Sequence, residues 1–294
     1  MVIKWLFVLQ LQIYIHVIFV NSETPRVKVS IETNFGDSLK DLDDGTESTN
    51  CGISIEDSLP IGRFPWFAKI YVSKFSGITF KCGGSLISND LILTSAACLK
   101  ARGDINHPEN FIVFLGKSYF LNFKGPVQMR TIRRLIIHPK FNYETHFADL
   151  ALLRLTEPVE RNRYVNPVCV SNTVKKLQGS VPGFEFKENQ NYIGRELSST
   201  IMTIVDSKNC TLKHKKVPSV DPQRSSLFCT SYETKQTCRG DDGTGFYFNT
   251  GGKWHIGGVN SIGIGWQEKA ICDENHFSGF TNISPFLEWI QSYM

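Results

Sequence analysis

Short runs in which apolar and polar positions alternate recur along the chain: Phe67-Ala68-Lys69-Ile70-Tyr71-Val72, Phe111-Ile112-Val113-Phe114-Leu115, Leu150-Ala151-Leu152-Leu153-Arg154-Leu155 and Trp254-His255-Ile256-Gly257-Gly258-Val259. Each is rich in β-branched or aromatic residues and is set off by turn formers, which predicts strands. Many short strands joined by turns predict antiparallel packing in barrels or sandwiches. The period changes only at residues 285–294, where Phe286, Leu287, Trp289 and Ile290 fall on one side of a predicted helix and Ser284 is placed to cap it. The chain contains no internal repeat and no low-complexity tract.

The N-terminal residues follow a different pattern. Lys4 precedes an apolar run, residues 5–20, broken by Gln10, Gln12 and His16, and Val20-Asn21-Ser22 then offers small residues for cleavage. The run is shorter than the roughly 20 residues a bilayer span requires, so residues 1–22 read as a removed signal peptide in preference to a retained anchor. Residues 23–50 carry Asp37, Asp41, Asp43, Asp44 and Glu47 and no cysteine, and have little to bury. They read as an acidic flexible pro-segment or linker. Residues 51–294 remain as the folded domain.

Composition sharpens this picture. At 294 residues and 41% hydrophobic, the chain is long enough for a large all-β domain. Its eight cysteines all lie beyond residue 50, and an even number behind a signal peptide predicts disulfides and a secreted, extracellular location. No later stretch could span a membrane. The net charge of +4 understates the basicity of the domain once the acidic segment is set aside. No zinc, calcium or nucleotide motif is present, and the expectation is no cofactor, no metal and no nucleic-acid partner.

Several ordered landmarks carry a resemblance. Phe64-Pro65-Trp66 is followed by Cys82-Gly83-Gly84-Ser85-Leu86-Ile87, Leu93-Thr94-Ser95-Ala96-Ala97-Cys98, Ile137-His138-Pro139, Ala148-Asp149-Leu150-Ala151-Leu152-Leu153 and Asn166-Pro167-Val168-Cys169. Phe228-Cys229, Cys238-Arg239-Gly240-Asp241-Asp242-Gly243, Ser261-Ile262-Gly263, Cys272 and Thr281-Asn282-Ile283 complete the order. In this arrangement the domain resembles the chymotrypsin/trypsin family of serine proteases. The resemblance implies two six-stranded antiparallel β-barrels with a C-terminal helix. It also implies the pairs Cys51–Cys169, Cys82–Cys98, Cys210–Cys229 and Cys238–Cys272. The stretch 175–199 lacks the family's usual Gly-Trp-Gly signature.

The family's chemistry needs a hydroxyl nucleophile, an imidazole that moves its proton and a carboxylate that orients the imidazole. The resemblance assigns the carboxylate to Asp149. It puts Ala97 where the histidine belongs and Asp242 where the serine belongs, so no intact catalytic set is expected. The other histidines, His107, His138, His146, His214, His255 and His276, read as surface or strand residues, with His138 and His146 flanking a turn. The N–H groups of Gly240 and Asp242 would frame the former oxyanion hole, where an aspartate adds a standing negative charge that opposes a developing one. Thr244 and Gly245 replace the family's glycine and proline.

The other departures concern activation and specificity. Counted back from Gly62-Arg63-Phe64-Pro65-Trp66, Ile53 falls where the family forms its new N-terminus, yet Gly52 precedes it where a basic residue would direct the cut. A single chain, with Asp241 lacking an ammonium partner, is therefore expected. The former specificity pocket carries over to Gln236, Ser261, Gly263 and Ser278, with Gln236 at its floor and Ile262 in place of the usual tryptophan. Arg130, Arg133, Arg134 and Lys140, and separately Lys208, Lys213, Lys215 and Lys216, form basic clusters suited to acidic partners or sulfated polysaccharide. Asn209-Cys210-Thr211 and Asn282-Ile283-Ser284 are glycosylation sequons.

Taken together, these residues predict a proteolytically inactive homologue that acts as a binding or regulatory partner of extracellular proteases or their zymogens. The alternative is an active hydrolase in which Asp149 and Asp242 hold a water between them.

Overall fold

All four alternating runs are strands in the computed structural model, which describes residues 50–56, 60–74, 77–101, 104–105, 107–119, 125–170, 177–187, 192–206, 226–232, 242–262 and 277–294. The first barrel is built from β1 (Phe67–Lys74), β2 (Gly77–Ser88), β3 (Leu91–Thr94), β6 (Phe111–Leu115), β7 (Gln128–Ile137) and β8 (Ala151–Leu155), closed in the order β1-β2-β3-β8-β7-β6. Between β3 and β6 lie the short helix α1 (Ala96–Leu99) and a two-stranded ribbon, β4 (Lys100–Ala101) with β5 (Asp104–Ile105). Closure leaves no strand edge unpaired.

A second ring follows. After β9 (Cys169–Val170) come β10 (Gln178–Lys187), β11 (Tyr192–Val205), β12 (Leu227–Tyr232), β13 (Gly245–Thr250), β14 (Lys253–Ile262) and β15 (Phe277–Asn282). They are ordered β13-β10-β11-β12-β15-β14, and pairing of β13 with β14 closes the ring, with β9 added in parallel on β14. The molecule therefore contains two closed six-stranded antiparallel barrels, as the resemblance implied.

Aromatic side chains fasten one barrel to the other. Trp66, ahead of β1, packs 5.5 Å from Tyr247 on β13, while Phe64 lies 5.8 Å from Trp254 on β14. The buried Tyr247 hydroxyl also meets Ser85 Oγ of β2 at 2.7 Å. Burial drives its phenol pKa far upward, so it stays neutral and the hydrogen bond persists at every physiological pH. Tyr247→Phe leaves Ser85 without this partner in a dry interface, and a loss of roughly 1–2 kcal/mol is expected by chemical denaturation. A midpoint equal to that of the wild type would contradict this.

Two lysines are buried despite their charge, one on a strand and one just after β6. Lys69 on β1 is fully buried, with Nζ donating to the Tyr119 carbonyl at 3.4 Å. Lys117 is 1% exposed, with Nζ 5.4 Å from the centre of the Tyr71 ring and 5.2 Å from that of Phe114. Burial pulls the Lys117 pKa down from 10.5 to about 8. Between these values the unfolded chain binds a proton that the folded chain has shed, so the contribution of this site to stability rises with pH across that window. Below it, the folded state must carry a desolvated charge. Lys117→Met is expected to raise the unfolding midpoint at pH 7, with the advantage shrinking as pH climbs from 8 to 10.5. An advantage independent of pH would sink this account.

The C-terminal segment corrects the sequence reading. Residues 284–286 form a 3-10 turn and the α-helix, α2, spans only Leu287–Gln291. Ser284 does not cap it. Its own N–H donates to Asn282 Oδ1 at 3.0 Å, because Pro285 directs the chain into the tighter turn first. Phe286, Leu287 and Ile290 are buried as the apolar stripe requires. His138, read as a turn histidine, is buried between Phe286 at 4.9 Å and Trp289 at 4.7 Å, and burial together with Lys140 lowers its pKa. Arg154 on β8 holds both oxygens of Asp90 at 2.8 Å and donates to the Tyr293 carbonyl, which ties the chain end to the first barrel.

Candidate functional site

The two barrels meet at Asp149. This residue is fully buried, two positions before β8, and its carboxylate is satisfied from both sides. Ser95 Oγ, at the end of β3, donates to Oδ2 at 2.8 Å, and the backbone N–H of Ala97 in α1 donates to Oδ1 at 2.8 Å. Ser261 Oγ, on β14 of the second barrel, donates to Oδ2 at 2.6 Å. Such bonds are what allow a carboxylate to stay buried. Ala97 itself offers this site a backbone donor and a methyl group, and a methyl group cannot carry a proton.

An imidazole arrives from elsewhere. His146 Nδ1 lies 3.2 Å from Ser261 Oγ and 3.6 Å from Asp149 Oδ2, although the sequence placed this residue only beside a turn. Two left-handed residues bring it there, His146 with φ 54° and Ala148 with φ 52°. Non-glycine residues in this region cost on the order of 1 kcal/mol or more, and they concentrate at functional sites. Tyr143 stacks on the outer face of the ring, with centroids 6.2 Å apart. Ser95 and His146 are the members of the cluster that the sequence did not single out. Ser95 lies in the landmark motif that locates Ala97, and His146 lies in none.

The segment after the former nucleophile position is fixed by its backbone. The Asp242 carbonyl accepts the N–H of Gly83 on β2 at 2.8 Å, which makes another bond between the barrels. Gly243 has φ 84°, and a Cβ there would lie 2.2 Å from Thr94 Oγ1 and 2.6 Å from the Gly83 carbonyl oxygen. Thr244 is fully buried, in the place of the family's glycine. Gly240, Asp241, Gln236 and Gly263 lie outside the described residues. Of the remaining pocket positions, Ser261 turns its hydroxyl to Asp149, and Ser278 is buried on β15, where its carbonyl accepts from Thr230 Oγ1 at 3.4 Å.

The activation region is equally constrained. Cys51 is bonded to Cys169, and the next residue, Gly52, has φ 70°. Its N–H donates to the Pro167 carbonyl and its carbonyl accepts from Trp254 N–H, both at 2.8 Å. Ile53 is 47% exposed on the surface. The structure also joins Cys82 to Cys98, and Cys229 is in a disulfide. Cys210, Cys238 and Cys272 lie outside the described residues.

The basic cluster on β7 divides. Arg130 spends its guanidinium on the Pro158 carbonyl, the Met129 carbonyl and Gln128 Oε1. A register shift between Ile132 and Arg134 brings both Arg133 and Arg134 to the surface, where a regular strand would alternate them. Lys140 is exposed on the following turn. Lys208, Lys213, Lys215 and Lys216 lie outside the described residues, as does Asn209. Asn282 is half-buried at the end of β15. Among the described residues no group of three or more histidine, cysteine or acidic side chains could hold a metal ion, and no helix is long and apolar enough to cross a membrane.

Known proteins resemble this chain over most of its length. Clotting factor C of Tachypleus tridentatus is 26% identical over 258 residues, 81% of this chain and 25% of that protein. Serine protease gd of Drosophila melanogaster is 24% identical over 281 residues, covering 81% and 52% respectively. Phenoloxidase-activating factor 3 of Holotrichia diomphalia is 26% identical over 287 residues, covering 87% and 78%. The chain thus spans a quarter to a half of the first two. The family model for trypsin matches residues 54–290, which takes in both barrels and the Asp149 site, and the chain belongs to the trypsin family.

Proposed function

We propose that this chain is a secreted, proteolytically inactive member of the trypsin family that works by binding, as a regulatory partner of proteases or zymogens in an extracellular cascade. The observation that carries this reading is at Asp149. At the histidine position Ala97 gives the carboxylate only its backbone N–H, to Oδ1, and no imidazole, and the nucleophile position holds Asp242. Loss of either the nucleophile or the histidine from such a set costs about a millionfold in rate, or roughly 8 kcal/mol of barrier.

Three further features support it. The relatives include proteins named as a clotting factor and a phenoloxidase-activating factor, names that fit a regulatory role for this chain. Gly52, buried and left-handed, stands where an activating cut would need a basic residue. The adjacent solvent-facing Arg133 and Arg134 suit an acidic protein surface or a sulfated polysaccharide. The two-aspartate alternative is disfavoured by burial, because Asp149 has its oxygens filled by three donors and no exposure to a water it could activate.

A peptide-substrate screen from acid to neutral pH tests the reading. No turnover is expected. Turnover that disappears in Asp242→Ala would overturn it. Capture from native extracellular fluid, followed by mass spectrometry, is expected to return a serine protease or its zymogen, and recovery of no specific partner would remove the regulatory role.

A further inference from the structure

The His146 cluster fixes the position of a proton. Ser261 Oγ donates its hydrogen to Asp149 Oδ2 at 2.6 Å, so what it can offer His146 Nδ1, 3.2 Å away, is a lone pair. Nδ1 therefore donates, and the neutral ring carries its hydrogen on Nδ1. The partner of one ring nitrogen decides the state of the other. Nε2 is left as a lone pair that makes no hydrogen bond among the described residues and is not enclosed, the ring being 23% exposed. The groups that face the ring are the Asp149 carboxylate and the Tyr143 ring from its own segment and the neutral Ser261 hydroxyl from β14. On the far side of the carboxylate stand Ser95 and the Ala97 N–H.

This is a carboxylate–hydroxyl–imidazole relay in which the imidazole comes from a loop and not from α1. It has the parts of a general base. A buried carboxylate stands 3.6 Å from Nδ1, a hydroxyl sets the tautomer, and Nε2 is left without a hydrogen bond among the described residues. The left-handed φ values at His146 and Ala148 are the conformational cost of bringing the ring back over Asp149.

We propose that His146 is a general base that activates water against activated esters, such as aryl esters, beside Asp149 where the two barrels meet. Nε2 takes a proton from water as the water oxygen bonds to the acyl carbon and the carbonyl π pair moves onto oxygen. When the adduct collapses, the bond to the aryloxide breaks, and the imidazolium returns its proton to that leaving group. The products are a carboxylic acid and a phenol, and the imidazole is regenerated. Peptides are not expected to react by this route at a measurable rate, because an amide carbonyl is far less electrophilic than that of an activated ester and its amine is a far poorer leaving group than a phenoxide. The inference is therefore independent of the absence of peptidase activity proposed above.

Two measurements test it. Imidazole nitrogen–proton correlation spectra of the wild-type protein are expected to show His146 protonated on Nδ1 when neutral; protonation on Nε2 would overturn the proposal without need of any variant. In p-nitrophenyl acetate hydrolysis, the wild type is expected to show one ionisation in its pH–rate profile that His146→Gln lacks. The variant rate should fall by on the order of 100-fold at the plateau. The remaining histidines and lysines supply the same background to both proteins, so equal rates would also overturn it. Ser261→Ala leaves the Asp149 carboxylate facing Nδ1 at 3.6 Å, so the hydrogen is expected to stay on Nδ1 and the rate to fall by a smaller factor, as befits a positioning residue.

Discussion

Serine at position 242 alone is expected to give no peptide hydrolysis, and histidine at 97 alone none either, while the double variant Ala97→His with Asp242→Ser should give turnover that is measurable but poor. The reason is that nucleophile, base and carboxylate act as a unit. Removing one member of such a set costs about as much as removing several, near a millionfold, so repairing one of two lesions recovers almost nothing. The double variant must also contend with His146. Its Nδ1 already stands 3.6 Å from Asp149 Oδ2, in the space that a restored imidazole would need, and Asp149 has its oxygens filled by Ser95, Ser261 and the Ala97 N–H. Adding His146→Leu to the pair is expected to raise kcat further. Release of p-nitroaniline from a panel of peptide substrates is the measurement. Turnover from Asp242→Ser alone would mean that Ala97 is not the lesion its position indicates.

The second large effect is expected at Gly52. A Cβ there would fall 2.3 Å from the Trp254 carbonyl oxygen, 2.7 Å from the Trp254 nitrogen and 3.0 Å from Cys169 Sγ. None of these is the end of a flexible side chain, and φ 70° is unfavourable for any residue with a Cβ. Gly52→Ala is expected to cost roughly 3 kcal/mol, from backbone strain together with displacement of the Trp254 strand. Gly52→Arg, which would install the basic residue an activating protease recognises, should cost at least as much. Thermal unfolding monitored by circular dichroism checks both. A stable, cleavable Gly52→Arg protein whose new N-terminus is Ile53 would overturn the single-chain reading. Absence of a basic cut site is thus a property of the fold as well as of the sequence.

The barrels were legible because their strands combine β-rich composition with turn-bounded spacing, and because the landmarks occur in order. The run at 67–72 became β1 and that at 111–115 became β6, with bounds matching the pattern closely. Alternation does not tell where a cation will be enclosed. Lys69 and Lys117 are buried because aromatic rings and a carbonyl receive their ammonium groups, which only the folded chain brings together. The C-terminal helix was read too long, since an apolar stripe at helical spacing is equally served by a 3-10 turn followed by a short helix.

At the site, Asp149, Ala97 and Asp242 could be located because each sits inside a contiguous motif. His146 could not. It lies three positions before Asp149, a separation that in extended chain would point it away, and its approach depends on two positive φ values that no residue-type preference announces. Ser261 was visible, but as part of a pocket, and its bond to the carboxylate emerged only when β14 was set against the first barrel.

The bond between Cys51 and Cys169 has a practical consequence for anyone following the protein in its native fluid. A cut anywhere in residues 52–63 would separate two polypeptides that stay covalently joined through Cys51 and Cys169, so whatever precedes the cut would travel with the barrels and would separate from them only after reduction. A cut before Cys51 would release the preceding segment outright. Electrophoresis with and without a reducing agent therefore distinguishes a protein that has shed its N-terminal segment from one that has been nicked and still carries it.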